Sequence, residues 1–260
     1  MMRVLVTGAT GRLGKALLPR LAGSGLTVRA MSRSPRSAPG AEWTVADLAT
    51  GANLRAALED VDTVVHLASA PYKGRYTRKV DLEGTGRLIE AAREAGAAHL
   101  VFPSIVGIDE IAWGYFGTKA AAESLVRSSG VPWSTIRMTQ FHPFVDEAFT
   151  QMARLRVLVA DPGIAFRPVD IGDAAAFVLD RVLEGPTKAI EEFGGPETLT
   201  MAEAAVRWRE ARAARCRILR VKLPGAAGRT MRAGHLATGA TPTGTTTWQT
   251  YLEGREPTGT

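Results

Sequence analysis

The fold is decided by Arg3-Val4-Leu5-Val6-Thr7-Gly8-Ala9-Thr10-Gly11-Arg12-Leu13-Gly14, where a short apolar run enters a glycine turn and a helical pattern follows. Gly8 permits a tight turn, Gly11 lets a backbone approach a pyrophosphate, and Gly14 allows close packing of the helix. The amides at the start of the helix would then face the anion. A purely structural turn is the alternative, but strand, turn and helix in this order favour a dinucleotide site.

The end of the second strand indicates which dinucleotide this turn would take. NAD-selective sites carry an acid there that accepts the ribose 2′-hydroxyl, but this chain has Ser32 and Arg33 and no acid before Glu42. A guanidinium fork matches phosphate oxygens, so Ser32 and Arg33, with help from Arg12 or Arg36, predict a 2′-phosphate and therefore NADP(H). Arginines that are merely exposed are the alternative.

The net charge of +6 has two local sources. The first is the acid-free start of the chain, which would give a phosphate-bearing ligand a positive field. Its cations are Arg3, Arg12, Lys15, Arg20, Arg29, Arg33 and Arg36. The second is the segment from Arg207 to Arg232, whose nine cations face one acid, Glu210. We interpret this segment mainly as a solvated helix face, because no interleaved aromatic residues accompany it, and we expect no nucleic-acid partner.

Short apolar runs alternate with helical periods, the pattern of βαβ units around a parallel sheet. The predicted strands are Val4–Val6, Thr27–Met31, Trp43–Val45, Thr63–His66, His99–Phe102, Trp133–Ile136 and Phe166–Val169. The predicted helices include Leu82–Ala95 with Gly96 as its stop, Gly172–Leu183, and Thr200–Ala213 with a Thr200/Glu203 capping box. The fold class is therefore α/β, a Rossmann-type doubly wound parallel sheet with a small C-terminal substrate-binding region. We expect one domain over residues 1–260, with the Rossmann core at about 1–137 and substrate-pocket and C-terminal elements at about 138–260.

Several protein classes fit the sequence poorly. With 45% hydrophobic and 22% charged residues the composition is that of a globular protein, and no apolar run reaches the length of a membrane span. The N-terminus lacks the pattern of a secretory signal, so we expect a cytoplasmic protein. Cys216 stands alone and cannot form an internal disulfide, and no histidine or acid at ligand spacing indicates a metal.

Several further motifs carry a family likeness. The glycine turn, His66-Leu67-Ala68 after the fourth strand, and Tyr115-Phe116-Gly117-Thr118-Lys119 resemble the short-chain dehydrogenase/reductase superfamily, and more narrowly its atypical NmrA-like branch. The likeness continues through Gly84-Thr85, residues 88–92, residues 103–107 and residues 129–137, and it covers roughly residues 3–200. It implies that Asp47, Leu48 and Ala68 join Gly8, Thr10, Gly11, Arg12, Leu13 and Gly14 at the cofactor.

The resemblance assigns the chemistry to Tyr115, Lys119 and Ser104. In the superfamily the tyrosine delivers or removes the hydroxyl proton. Four residues on, Lys119 shares a helix face with Tyr115, where its ammonium would favour the phenolate, bring its pKa from about 10 toward neutrality and reach the nicotinamide ribose. Ser104 is the candidate donor to the substrate carbonyl, with a cap or turn residue as the alternative.

Residues after the sixth strand are candidates for binding the substrate, since ligands of α/β sheets bind at the carboxyl ends of strands. They are Gln140, Phe141 and His142, although a structural role for His142 fits the sequence equally. His66 is expected to pack near the cofactor rather than to act as a base. This chain has Asp81 where relatives often carry an asparagine before the Gly-Thr helix. In classical members that asparagine kinks the helix and relays a proton, and the substitution puts this role in doubt here.

Together these features predict an NADPH-dependent oxidoreductase that interconverts a small carbonyl, a ketone or quinone, and its alcohol. The intact Tyr115 and Lys119 pair favours an enzyme. Two alternatives stay open: a non-catalytic NADP(H)-binding sensor or regulator, and an epimerase or dehydratase that retains NAD. The sequence does not indicate an oligomeric state.

Overall fold

The computed structural model describes residues 1–111 and 114–254. Its strands are β1 Arg3–Thr7, β2 Thr27–Ser32, β3 Glu42–Val45, β4 Thr63–His66, β5 His99–Ile105, β6 Trp133–Met138, β7 Val157–Ala160, β8 Ala165–Phe166, β9 Ile190–Phe193, β10 Leu199–Thr200 and β11 Arg217–Arg220. Its helices are α1 Arg12–Gly23, α2 Leu54–Leu58, α3 Arg75–Thr77, α4 Gly84–Glu94, α5 Tyr115–Arg127, α6 His142–Ala153, α7 Ile171–Glu184, α8 Met201–Ala211, α9 Gly225–Arg232 and α10 Trp248–Glu253. A π-helical segment, Arg78–Glu83, leads into α4.

Seven strands form one sheet in the order β3-β2-β1-β4-β5-β6-β9. The pairs β3–β2, β2–β1, β1–β4 and β4–β5 are parallel, as crossover helices require. The order reverses direction between β1 and β4, the switch point at which Rossmann sheets bind their ligands. The fold class predicted from the sequence is thus confirmed.

The packing of the chain divides it into two compact units, each described by itself. The first unit contains residues 1–137 and 174–191, and the second contains residues 138–173 and 192–260, of which the structure describes residues up to 254. The expected boundary near residue 137 coincides with the end of one segment. The chain then returns to the first unit through most of α7, which the sequence pattern did not indicate.

Apolar side chains from β1, β4, β5, α2 and α4 build the core of the first unit. Leu5, Val64, Leu88, Leu100 and Phe102 are all at most 1% exposed within it. The alternation of apolar residues in the sequence predicted these strands and α4, and Gly96 stops α4 with a left-handed φ of 72°.

The second unit is held by a carboxylate on α6. Asp146 accepts hydrogen bonds from Trp208 Nε1 on α8 at 2.6 Å and from the Tyr251 hydroxyl on α10 at 3.0 Å, and it pairs with Arg212 at 3.1 Å. This unit also contains the small β7–β11 and β8–β10 sheets, of which the sequence indicated only a strand near Phe166. That strand is shorter than predicted: it ends at Phe166, and Val169 makes only an isolated bridge to Phe141.

Every helix within residues 1–111 and 114–254 is too short or too polar to span a bilayer.

Candidate active site

The glycine turn after β1 has the tight geometry that its sequence predicts. Gly8 adopts a φ of 65°, and its carbonyl accepts a hydrogen bond from Gly11 N–H at 2.9 Å. A Cβ at Gly8 would lie 2.6 Å from Ala68 N, and one at Gly14 would lie 2.5 Å from Gly8 O. Substitution at either position would therefore force backbone atoms apart.

Gly11 differs from the other two glycines because its environment is open. A Cβ there would meet only Gly8 O, at 3.1 Å, so a side chain would fill the free space above the turn. Thr10, Gly11 and Arg12 are exposed, Leu13 is half-buried, and Gly11 provides no side chain to cap α1, whose first turn holds no acid. The first amides of the helix therefore offer an anion site, the cradle that a dinucleotide pyrophosphate requires.

The end of β2 carries the residues expected to select the 2′-phosphate. Arg33 is exposed and donates to the Tyr76 hydroxyl at 2.8 Å, and the Ser32 hydroxyl donates to Ser34 O at 2.5 Å. Arg29, in contrast, is buried: it donates to Ala57 O at 3.1 Å and pairs with Glu42 at 3.4 Å. Arg29 therefore stabilises the fold. The expectation that it contributes to a positive field at a phosphate-bearing ligand is corrected.

The three further residues expected at the cofactor lie at the ends of β3 and β4. The Asp47 carboxylate accepts the Ala49 N–H at 2.9 Å, which fixes the turn after β3. Leu48 is 4% exposed and packs in the core, so only its backbone could face a ligand. Ala68 N–H donates to the Thr7 hydroxyl at 3.2 Å, which fixes the end of β4 against the glycine turn.

The Tyr115 hydroxyl at the start of α5 lies in a hydrogen-bonded chain of three residues. The Ser69 hydroxyl is 2.8 Å from the Tyr115 hydroxyl and donates to Asp81 Oδ1 at 2.5 Å. Because the single Ser69 proton is given to the carboxylate, the phenol donates to Ser69. Asp81 is itself buried and fixed by Ala70 N–H at 2.7 Å. Burial, aided by the Asp81 charge, raises the pKa of Tyr115 to about 12, so the phenol keeps its proton at neutral pH.

Lys119 is buried on α5, and its Nζ lies 4.0 Å from the centre of the Phe102 ring. Burial lowers its pKa to about 8, although the charges of Asp81 and Glu123 oppose this change. We expected Lys119 to bring the Tyr115 pKa toward neutrality. That expectation is corrected, because burial dominates at the tyrosine and its pKa is raised.

Ser104 does not make the contact that its expected role requires. Its hydroxyl donates to Glu123 Oε2 at 2.6 Å, and the Glu123 carboxylate also pairs with Arg137 at 2.7 Å. Arg137 in turn contacts Asp109 at 2.6 Å. The geometry thus matches the structural alternative for Ser104, and the hydroxyl in contact with Tyr115 is that of Ser69.

His66 lies in a closed hydrogen-bond chain. Thr7 Oγ1 accepts from Ala68 N–H and donates to His66 Nδ1 at 2.7 Å. Thr85 donates to Asp81 O, so it accepts from His66 Nε2 at 2.9 Å. The ring is therefore neutral, and burial lowers its pKa to about 3. This arrangement agrees with the expected packing role and not with a base.

The expected substrate residues lie in the second unit. His142 is fully buried, its ring lies 5.0 Å from that of Tyr251, and its Nε2 donates to Pro168 O at 3.2 Å. It therefore belongs to the core, and its expected contact with substrate is corrected. Phe141 is half-buried at the start of α6. Gln140 Oε1 is buried without a hydrogen-bond partner among the described residues.

Sequence reasoning missed Ser69 entirely and treated Asp81 only as a departure. Ser69 follows β4 by a few residues, next to the quoted His66-Leu67-Ala68 motif. The rule that ligands bind at the carboxyl ends of strands could have found it, because β4 lies at the switch point of the sheet.

Comparisons with known proteins show which proteins this chain is similar to. A reductase of (4-alkanoyl-5-oxo-2,5-dihydrofuran-3-yl)methyl phosphate from Streptomyces griseus is 32% identical over 213 residues, covering 77% of this chain and 70% of that protein. Other curated relatives are longer: the chain spans 59% of one and 20% of another.

Two solved structures share the fold, each with a TM-score of 0.79 and 18% identity. One is a nucleoside-diphosphate-sugar epimerase from Staphylococcus aureus, with 97% of this chain and 100% of that chain covered. The other is an NADPH-dependent quinone oxidoreductase from Escherichia coli in complex with NADPH, with 96% and 98% covered. Residues 8–177, from the glycine turn into α7, match the NAD(P)H-binding family. With the glycine cradle and the sheet order already described, this match shows that the chain belongs to the NAD(P)H-binding family.

Proposed function

We propose that this chain is an NADPH-dependent oxidoreductase that interconverts a small ketone or quinone and its alcohol, with Tyr115 as proton donor. The observation that carries the proposal is the 2.8 Å contact between the Tyr115 hydroxyl and the hydroxyl of the exposed Ser69. A phenol that keeps its proton at neutral pH and is oriented by a fixed partner is suited to protonate a carbonyl oxygen.

The residues around the glycine turn suit a dinucleotide. Gly8, Gly11, Gly14 and the first amides of α1 would hold the pyrophosphate, and Ser32 and Arg33 would contact a 2′-phosphate. When bound, the nicotinamide would supply hydride to the carbonyl carbon or accept it from the alcohol. Lys119 is the candidate to contact the nicotinamide ribose.

The chain's own residues would supply the proton. In reduction Tyr115 gives its hydroxyl proton to the carbonyl oxygen, and in oxidation the phenolate takes it back. Asp81 orients Ser69, and Ser69 orients the phenol, so both act as positioning residues. Together with the hydride, one proton completes the conversion of a carbonyl to an alcohol.

The substrate class rests on similarity and on one local feature. The relative from Streptomyces griseus is named a reductase, and the similar structure from Escherichia coli is named a quinone oxidoreductase. Gln140, whose buried Oε1 lacks a partner within the described part of the chain, is the candidate to orient the substrate, with Phe141 as an apolar wall.

The cofactor preference is tested by titration with NADPH and NADH, followed by nicotinamide fluorescence. We expect tighter binding of NADPH, and Arg33→Ala should weaken it by about tenfold while leaving NADH binding unchanged. Arg20→Ala is the matched control, because this exposed arginine of α1 donates to the backbone of its own helix, at Ala16 O, over 3.0 Å. Equal binding of both cofactors by the wild type would refute the preference.

The proton donor is tested by NADPH-dependent turnover of a panel of small ketones and quinones. Tyr115→Phe should lower kcat by about 100-fold or more and leave NADPH binding intact. Tyr72→Phe is the control, since the ring of this exposed tyrosine lies 5.4 Å from that of Tyr115. Tight NADPH binding without turnover of any panel member would instead favour a sensor. Tightly retained NAD after purification would favour an epimerase or dehydratase.

A further inference from the structure

The nine cations of the segment 207–232 fall into two groups. Three of them pair with carboxylates inside the second unit: Arg207 with Glu197, Arg212 with Asp146, and Arg232 with Asp161, at 2.9, 3.1 and 2.5 Å. These three arginines stabilise the unit, so the segment is more than a solvated helix face. The remaining cations have no carboxylate partner in the part of the chain that the structure describes.

Three of these unpaired arginines converge on one cavity. It has a volume of about 580 Å³ and is lined by Arg156, Arg209, Ala214, Arg215, Cys216 and Arg217. Arg209 comes from α8, Arg217 begins β11, and Arg156 lies directly before β7, to which β11 is paired. We call this feature the arginine cavity.

Four arginines line the cavity, three of them exposed, and no acidic side chain lines it. None of the four makes a side-chain hydrogen bond or ion pair within residues 1–111 and 114–254. Backbone bonds fix two of the positions instead: Arg217 N–H donates to Arg156 O at 3.0 Å, and Ala214 N–H donates to Arg209 O at 3.0 Å. The fold thus places four arginines around the cavity with no carboxylate paired to them among the described residues.

We propose that the arginine cavity binds a phosphate-bearing small molecule. Guanidinium forks match phosphate oxygens in charge and geometry, and the cavity volume lies within the range of small-molecule sites. A nucleic acid suits it less, because no aromatic side chain lines the cavity to stack on a base. The cavity is lined by none of the residues of the glycine turn, and the proposal goes beyond the proposed function.

The chain provides a reporter for this test, because Cys216 is its single cysteine and lines the cavity. The rate at which neutral iodoacetamide alkylates Cys216 is measured by mass spectrometry against inorganic pyrophosphate. The titration is run without and with saturating NADPH, which would keep pyrophosphate from the glycine turn, and ionic strength is held constant. We expect saturable slowing of the alkylation.

Arg209→Ala/Arg217→Ala should raise the half-protecting concentration by about tenfold or more. Lys222→Ala/Arg229→Ala removes the same charge from two exposed cations outside the cavity and should change that concentration less than about twofold. Each variant is compared with its own ligand-free rate, because Arg209 also affects the thiol. NADPH binding is measured for every variant as a check on folding.

Three results would overturn the proposal. The first is an absence of protection by pyrophosphate. The second is equal loss of protection in both double variants, which would mean general screening by charge. The third is protection by phosphatidylserine-containing vesicles, compared with phosphatidylcholine vesicles, without protection by pyrophosphate, which would mean that a lipid surface covers the arginines. None of these results depends on turnover, so failure here and failure of the oxidoreductase proposal are distinguishable.

Discussion

Lys119 carries an ammonium group into a buried position, and burial lowers its pKa from 10.5 to about 8. In the pH range between these values the unfolded chain binds a proton at this residue that the folded chain does not. The free energy of unfolding therefore rises with pH across this range, and at neutral pH Lys119 destabilises the fold. A residue kept at such a cost fits a functional role.

Replacing Lys119 by the similarly sized, uncharged methionine should stabilise the protein at pH 7. The shift from 10.5 to about 8 corresponds to a gain of up to about 3 kcal/mol in the free energy of unfolding. Urea denaturation at pH 7 and at pH 10 measures this, and the gain should shrink at the higher pH. Turnover should fall, because the candidate contact to the nicotinamide ribose is lost.

The control for this prediction is Lys79→Met, which changes an exposed lysine of the π-helical segment and should leave stability within about 0.5 kcal/mol. A destabilised Lys119→Met variant would contradict the argument. It would show that the attraction of Lys119 to Asp81 and Glu123 outweighs the cost of burial.

Asp81→Asn should move the alkaline limb of the activity profile. The Asp81 charge raises the pKa of Lys119, so its removal lowers that pKa further below about 8. Lys119 then loses its charge at a lower pH, and kcat/KM should fall at a lower pH than in the wild type. A limb that stays in place would mean that another group controls it. Asp180→Asn, on an exposed carboxylate of α7, is the control.

Sequence predicts residues of this site well only where they are close along the chain. Tyr115 and Lys119 stand four residues apart, so helix geometry alone places them together. Ser69 and Tyr115 are separated by 46 positions, and their contact depends on how β4 and α5 pack. Ser104 fits the rule that ligands bind at the carboxyl ends of strands, but its hydroxyl donates to the buried Glu123 on α5.

At the scale of elements, three helices of the second unit are joined by one side chain. The Asp146 carboxylate on α6 binds Trp208 of α8, Tyr251 of α10 and Arg212. Asp146→Ala should lower the free energy of unfolding by about 3 kcal/mol or more, because buried donors and a cation lose their partner. Asp146→Asn keeps an acceptor and should cost less.

Urea denaturation followed by tryptophan fluorescence measures this loss, and Trp208 itself reports on the site. Glu253→Gln is the control: its exposed carboxylate contacts only Gln249, at 2.9 Å, and its change should stay within about 0.5 kcal/mol. A cost of Asp146→Ala no greater than that of the control would mean that the three helices pack without the carboxylate.

Elements stabilised by local contacts were predictable, and those stabilised by distant contacts were not. The capping box of α8 was predicted from the sequence and is present, with Glu203 N–H donating to Thr200 at 3.2 Å and Glu203 accepting from Thr200 N–H at 2.8 Å. The four-residue strands β7 and β11 pair across a long separation. β7 is apolar throughout and β11 is two apolar residues between arginines, so neither shows a clear apolar alternation.

At the scale of the whole molecule, the two units are discontinuous in sequence, since residues 174–191 belong with residues 1–137. Local patterns predicted helix α7 but not its unit, because membership in a unit is set by packing between distant segments. The glycine turn, Arg33, Ser69, Tyr115 and Lys119 all lie in the first unit, and the arginine cavity lies in the second.

This division predicts where each ligand should slow amide hydrogen exchange. NADPH should protect peptides around residues 7–15, 66–70 and 115–119, because a bound ligand suppresses local opening. Peptides covering 209–217 should exchange as before, and pyrophosphate added on top of NADPH should slow exchange there. Protection of 209–217 without protection of 7–15 by NADPH alone would place the dinucleotide in the arginine cavity, and its assignment to the glycine turn would then fail. Arg33→Ala should weaken only the NADPH-dependent changes, whereas Arg209→Ala/Arg217→Ala should weaken only those caused by pyrophosphate.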